Sequence, residues 1–499
     1  MIIESNPNSN SELNKLLKKS KSPLKISNNW LQELVILLNY ALPVIGTHLL
    51  EHTLLVVSII SVGHLSTIHL AAASLANITL NCTNLSLIIG FASALDTLCP
   101  QAFTSHYPQL TTIYALRTSL IILLLIFPQI LFNFNSRKIF ILLGQDLRLA
   151  QLASDYLKVI SFGLPGYGTF EITRRWLQAQ HIMYPSTIIL LFVAPLNALL
   201  SYLLVWGPQS IRLGFIGAPI ATATSFNLMG LLSLLYCILL APHSTWPGFT
   251  FVIFQDLGLN FKFGLSGFTM IASEWWCWEL IGLASSLLGP STLAAQSVIT
   301  TISALTFQFP NAMATAAAVR CGNLLGSGRS TQTQLAAYVA FGAGIGVGLI
   351  NMALMVVCRR LLGRLFSSEE DVIQIVADVL VLVALFQIPD GLTTTLGGVF
   401  RGAGKPKIGA VINSVGYYAI GLPIGLFLTF SKTTHFGAFG LWAGMTIAVT
   451  ITALISSYYL FNLIDFKEAM MSARDRIDES QEDHQEVTNY GTINNTLTL

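Results

Sequence analysis

LGFIGAPIA at residues 213–221 and FGAFGLWAG at residues 436–444 read as one segment used twice, with Gly214 and Gly217 standing over Gly437 and Gly440. The offset of about 223 residues recurs elsewhere. GHLSTIHLAAASLA at 63–76 echoes LGPSTLAAQSV at 288–298, where Leu70-Ala71-Ala72 matches Leu293-Ala294-Ala295, and FGLP at 162–165 echoes FQIP at 386–389. Self-similarity at a fixed period marks a repeated structural unit, here half the chain. A helix needs about 20 apolar residues to cross a hydrocarbon core. Such runs fall near 34–60, 70–97, 113–134, 155–177, 184–206, 215–240, 262–288, 293–319, 333–357, 372–399, 408–430 and 437–463, six to each repeat. An even number of crossings returns the chain to the side it left, so the repeats are parallel, related by an axis along the membrane normal. Carriers built this way hold their cargo between the halves, near the midplane. The sequence therefore predicts an all-α polytopic membrane protein, with about twelve transmembrane helices in two parallel six-helix bundles over 31–245 and 246–465.

Composition points the same way. Of 499 residues, 53% are hydrophobic and 10% charged, where a soluble domain carries about 25% charged residues. A net charge of +2 gives no reason to expect nucleic acid or another polyanion as partner. Cys82, Cys99, Cys237, Cys277, Cys321 and Cys358 lie in or beside apolar runs, without zinc-ligand or disulfide-framework spacing. They read as buried small hydrophobes, and no cofactor is expected.

The first thirty residues carry Lys15, Lys18, Lys19, Lys21 and Lys25 and no apolar signal core, so 1–30 reads as a basic cytosolic tail. Arg174, Arg175, Arg320, Arg329, Arg401, Lys405 and Lys407 then fall on the cytosolic side. Arg137, Lys138, Arg359, Arg360 and Arg364 fall opposite, so the arm carries the orientation. The charged, Asn-rich segment 466–499 reads as a disordered cytosolic tail. The chain is expected to be a monomer in a lipid bilayer, in the plasma membrane or a vacuolar, lysosome-like one.

Charges inside the spans carry the chemistry. IASEWWCWEL at 271–280 places Glu274 and Glu279 in an otherwise apolar run. A charge at the bilayer centre costs about 2.5–3.5 kcal/mol on insertion scales, so each acid needs a partner, a wet cavity or a proton. Five residues place Glu279 about 140° around the helix from Glu274, towards a helix seam or the cavity mouth. Trp278 shares the face of Glu274 one turn on, so a cation can meet carboxylate and indole together. Trp275 and Trp276 serve equally well as packing or interface residues.

Asp390 follows Pro389 and precedes Gly391, an acid in an irregular, solvated stretch of backbone or a cap in a broken span. Asn413 and Tyr417, four apart, share a face and either hold a protonated acid or join helices; Tyr418 lies beside them. Glu51 between His48 and His52 is a satisfied polar cluster or a proton relay. Pro43, Pro165, Pro195, Pro310, Pro389 and Pro423 lie within spans, where proline kinks helices that line cavities. GAGIGVG at 342–348 reads as a helix-packing surface rather than a phosphate loop. The sequons at Asn77, Asn81 and Asn84 lie within a span and are not glycosylation sites.

ALDTLCPQAF (94–103), EWWCWE (274–279), AVRCGNLLGSG (318–328) and VFRGAGKPKIGAVINSVGYYAIGLPIG (399–425) together resemble the multidrug and toxic compound extrusion (MATE) transporters. The EWW-x-x-E form is similar to the eukaryotic branch. The resemblance runs from about 34 to 463 and implies two six-helix bundles forming a V. It implies export of organic compounds, cationic or xenobiotic, driven by entry of protons or sodium, with protons usual in eukaryotic members. Glu274 matches the carboxylate tied to proton and substrate exchange. Asp390 matches an acid eleven residues before the Arg of RG-x-G, here Arg401. Asp96 and Arg401 match positions that look structural. Two departures stand out: Ser58 occupies the place of a first-helix aspartate found in prokaryotic relatives, and Thr301 the place of an Asn or Glu in the eighth span.

The expected activity is thus a proton-coupled antiport of small organic substrates by alternating access, through Glu274, Asp390, Glu279, Trp278, Asn413 and Tyr417. The alternatives are a lipid or anionic-solute flippase of the same superfamily, which calls for a cationic cavity, a channel, and a membrane enzyme, for which no nucleophile elbow or His-rich motif is present.

Overall fold

A computed structural model describes residues 29–245, 251–288, 290–366, 370–431 and 436–497; the basic arm at 1–28 lies outside them. The first half comprises α1 (Trp30–Gly63), α2 (Thr67–Phe103), α3 (Leu110–Leu142), α4 (147–179), α5 (Tyr184–Trp206) and α6 (Gly214–Leu239). The second comprises α7 (Leu257–Ser286), α8 (Pro290–Gly326), α9 (Ser330–Phe366), α10 (Glu370–Gly402), α11 (Pro406–Phe430) and α12 (Ala438–Leu463). The packing repeats as the sequence does. α1 lies on α5 as α7 lies on α11, α2 on α4 as α8 on α10, and α4 on α6 as α10 on α12.

Nine of the twelve are long and apolar enough to cross a membrane by composition alone. The other three, α4, α7 and α8, carry Glu171, Arg174, Arg175, Glu274, Glu279 and Arg320. A span that turns polar groups inward loses mean hydropathy, which is why these three fall short.

Glycines set how closely the helices approach. Gly344 and Gly348, one turn apart on α9, face α10, where an added Cβ would meet Gly391 O at 3.0 Å and Gln387 O at 2.6 Å. Gly342 and Gly346 face open space, so half of the glycine run packs as expected. Where α2 crosses α7, a Cβ on Gly90 would lie 2.4 Å from Phe268 Cα, against backbone that cannot swing aside. Gly90→Ala is expected to cost about 1–3 kcal/mol by overpacking, read as a lower melting temperature in detergent. Gly346→Ala, on a free helix face, is expected to leave it unchanged or raise it.

The tail departs from expectation. Phe466–Leu497 is a thirteenth helix, α13, where composition predicts disorder. Phe466, Ala469, Ala473, Ile477 and Ser480 are all buried; at steps of three and four they form one stripe. The average over charged neighbours hides that stripe.

Candidate functional site

A cavity of about 430 Å³ lies between the halves. On one wall α1, α2 and α4 present His48, Glu51, Asn77, Asp96, Arg174 and Arg175; on the other α7, α10 and α11 present Glu274, Trp278, Glu279, Asp390, Arg401 and Asn413.

The floor is a buried charge cluster. Glu171, Arg174 and Arg175 share one face of α4 at i, i+3 and i+4. Arg174 reaches Glu171 at 2.6 Å and Glu51 of α1 at 2.8 Å. Arg175 also binds Glu171 and holds one oxygen of Asp96 at 3.2 Å. The other Asp96 oxygen accepts from Arg401 Nε at 3.1 Å, so this carboxylate joins first half to second. Three acids against three arginines leave the cluster neutral, which is what permits such burial. Tyr167 donates to Glu51 at 2.8 Å. Glu51 is thus a satisfied member of a polar cluster. An i,i+3 pair such as Glu171–Arg174 is worth only tenths of a kcal/mol when exposed, but here Glu171 is 0% exposed.

Further bonds join the halves at this same end. Thr97 donates to Arg401 O at 2.5 Å, Gln101 to Gly402 O at 2.9 Å and Thr104 to Asn323 O at 2.7 Å. Arg320 of α8 grips Glu33 of α1 with two bonds of 2.6 and 2.9 Å. Sequence reading missed that pair; two opposite charges at the same end of apolar spans were the available signal. Near midspan, Trp276 Nε1 donates to Cys82 O at 2.9 Å. The halves are therefore latched at the end where α1 begins and α12 finishes.

The acids of the second half stand differently. Asp390 and Arg401 lie within electrostatic reach of Glu274, and Glu279 within reach of Cys82 on α2. Among the described residues Glu274, Glu279 and Asp390 form no ion pair, whereas Glu33, Glu51, Asp96 and Glu171 are each held by arginine. Glu274 and Glu279 both line the cavity, the first within reach of Asp390 on α10 and the second within reach of Cys82 on α2.

Trp278 packs at 5.6 Å from Phe386 and 5.1 Å from Trp442 between ring centroids, and Trp442 Nε1 donates to Gln296 Oε1 at 2.8 Å. All three rings line the cavity; Phe386 and Trp442 lie in the repeated FQIP and FGAFGLWAG segments, yet nothing local marks their rings as cavity aromatics. Asn413 lines it too. Tyr417 does not. A π-helical stretch at Val415–Gly421 widens the turn, so i and i+4 no longer stand over each other. Tyr417 instead packs with Cys277, Phe386, Met445 and Val449, behind the wall and within electrostatic reach of Glu274 and Asp390. Ser58, at the place of the missing aspartate, meets Tyr156 Oη at 2.8 Å.

The MatE family model matches residues 43–203 and 266–427, one stretch in each half. The chain is 36% identical over 432 residues to an uncharacterized transporter of Schizosaccharomyces pombe, covering 87% of this chain and 80% of that one. It is 30% identical over 444 residues to the multidrug and toxin extrusion protein 1 of Homo sapiens, covering 89% of this chain and 77% of that one. The crystal structure of the eukaryotic MATE transporter AtDTX14 matches with a TM-score of 0.84 at 29% identity, over 90% of this chain and 99% of that one. With its repeated six-helix halves and the cavity between them, the chain belongs to the MatE family of multi-pass membrane transporters.

Proposed function

We propose that this efflux transporter exports organic cations in exchange for protons, by rocking its halves about the central cavity. The contrast among the cavity's acids carries the reading. Those of the floor are neutralised by arginine, whereas Glu274 and Asp390 have no ion-pair partner among the described residues and can take a proton or a cation, and the indole of Trp278 stands on the same wall. Aromatic faces attract cations by about 0.5–2 kcal/mol each. A proton arriving from the far side neutralises the carboxyl and weakens its hold on the cargo. The cargo leaves, the halves rock, the proton escapes at the latched end, and the recharged acid takes new cargo. That end, bearing α1's start and α13, is the cytosolic one in this reading. An acidic exterior or an acidic vacuolar lumen drives the cycle equally. A flippase for anionic cargo is the weaker reading, because the arginines of the cavity are spent on Glu51, Glu171 and Asp96.

The test uses proteoliposomes with an acidic, dye-loaded interior. Tetraethylammonium added outside is expected to alkalinise the interior as cation enters and proton leaves. One pH unit is worth about 1.36 kcal/mol, so one-for-one exchange sustains about a tenfold cation gradient. Clamping the voltage with potassium and valinomycin should not alter that ratio, since the exchange moves no net charge. No pH change, or one elicited only by organic anions, rejects the reading.

A further inference from the structure

α13 leaves the second half and docks on the first. Its start is capped by Asp465, whose Oδ1 accepts from Lys467 N at 2.7 Å. Its opening turns bind the half it belongs to. Phe466 joins the core cluster of α8, α9 and α10, and Ala469 packs with Leu325 and Ala403. Further along the same stripe the contacts change sides. Arg476 Nη2 donates to Gln101 Oε1 of α2 at 3.0 Å, and Tyr114 of α3 donates its hydroxyl to Ser480 Oγ at 2.9 Å. Ile477, 5% exposed, enters the core of the first half.

Arg476 is also fitted to the second half. Its guanidinium lies 5.6 Å from the Phe263 ring centroid of α7. At Gly404, whose φ of +75° favours glycine, a Cβ would come within 2.9 Å of Arg476 Nη2, so the guanidinium also lies against the loop between α10 and α11. Gln101, its partner on α2, donates in turn to Gly402 O at 2.9 Å. One arginine therefore touches both halves beside the latch.

We propose that α13 is a strap across the latched end, and that its release from the first half is a required step whenever the cavity opens on that side. The helix is covalently continuous with α12 and cannot follow both halves as they part. Opening must surrender the Arg476–Gln101 bond, the Tyr114–Ser480 bond and the burial of Ile477 together. The strap thereby sets the balance between the two facings independently of the cargo. The proposal rests on alternating access and on neither the proton nor the cation.

The test places a cysteine at cavity-lining Thr315 in a full-length chain whose native cysteines are replaced by alanine. A membrane-impermeant thiol reagent is added on the side of the termini. Arg476→Ala is expected to raise the labelling rate on the order of tenfold, because losing a charged hydrogen bond shifts a two-state equilibrium by about that factor. Tyr114→Phe removes only the hydroxyl that meets Ser480, so it keeps the fold and is expected to raise the rate severalfold. If Arg476→Ala fails to fold, Tyr114→Phe decides alone. Labelling at the unmodified rate in the variants that fold overturns the strap. Labelling needs no cargo and no proton gradient, so its failure is separable from failure of the vesicle pH assay.

Discussion

Glu274→Gln is expected to remove cation-driven proton movement by about two orders of magnitude or more while leaving the chain folded. The amide keeps the shape and hydrogen-bonding capacity of the protonated acid but can neither release a proton nor balance a cation. Glu274 has no ion-pair partner among the described residues, so the substitution strands no opposite charge, and the fold has little reason to suffer. Asp390→Asn tests the other member of the pair. The two carboxyls lie within electrostatic reach of each other, and two negative charges in a poorly hydrated wall repel. With Asp390 neutral, Glu274 alone answers for the exchange, so coupling is expected to persist at a reduced rate, and the double substitution to abolish it. Glu279→Gln is expected to change transport less than threefold, because that carboxyl lies within reach of Cys82 on α2 and not of the Glu274–Asp390 pair. Vesicle pH recordings on the four variants check this. Normal exchange by Glu274→Gln and the double variant would place the movable proton elsewhere.

Repeat and span count were readable because bilayer thickness imposes a length and duplication imposes a period; neither depends on which side chains meet. The acid at Glu274 was readable for a related reason, since a charge inside an apolar run is anomalous wherever its helix turns. What stayed hidden is what depends on the meeting. Glu33 and Arg320 stand 287 residues apart in sequence, and nothing local links them. Phe386 and Trp442 look like ordinary membrane aromatics until three helices bring them to Trp278. Tyr417 was placed on the cavity by a periodicity of 3.6, which the π-helical turn at Val415–Gly421 breaks. Composition predicts disorder for α13 because a mean over charged neighbours cannot register a buried stripe from Phe466 to Ser480 facing one way.

The second large effect is expected at Glu33 and Arg320. Arg320→Met leaves the Glu33 carboxylate 1% exposed and without its two-bond clamp. Breaking a buried pair from one side costs about 3–5 kcal/mol, so the floor-closed state should lose roughly 10²–10³-fold in population. Thiol labelling from the side of the termini reads that loss, and the melting temperature in detergent should fall with it. Exchanging the charges, Glu33→Arg with Arg320→Glu, should recover much of both. The apolar pair Glu33→Leu with Arg320→Met separates stability from function. Such replacements are often neutral or stabilising, so the melting temperature should return or exceed its starting value. Turnover should nevertheless slow severalfold. When the latch parts, an ion pair regains hydration that offsets its lost attraction, whereas leucine and methionine gain nothing from water. A charged latch is thus tight when closed and inexpensive to open, as a carrier that must part its halves at every cycle requires. A Leu/Met variant that melts higher and still turns over at the original rate would show that this end does not open during transport.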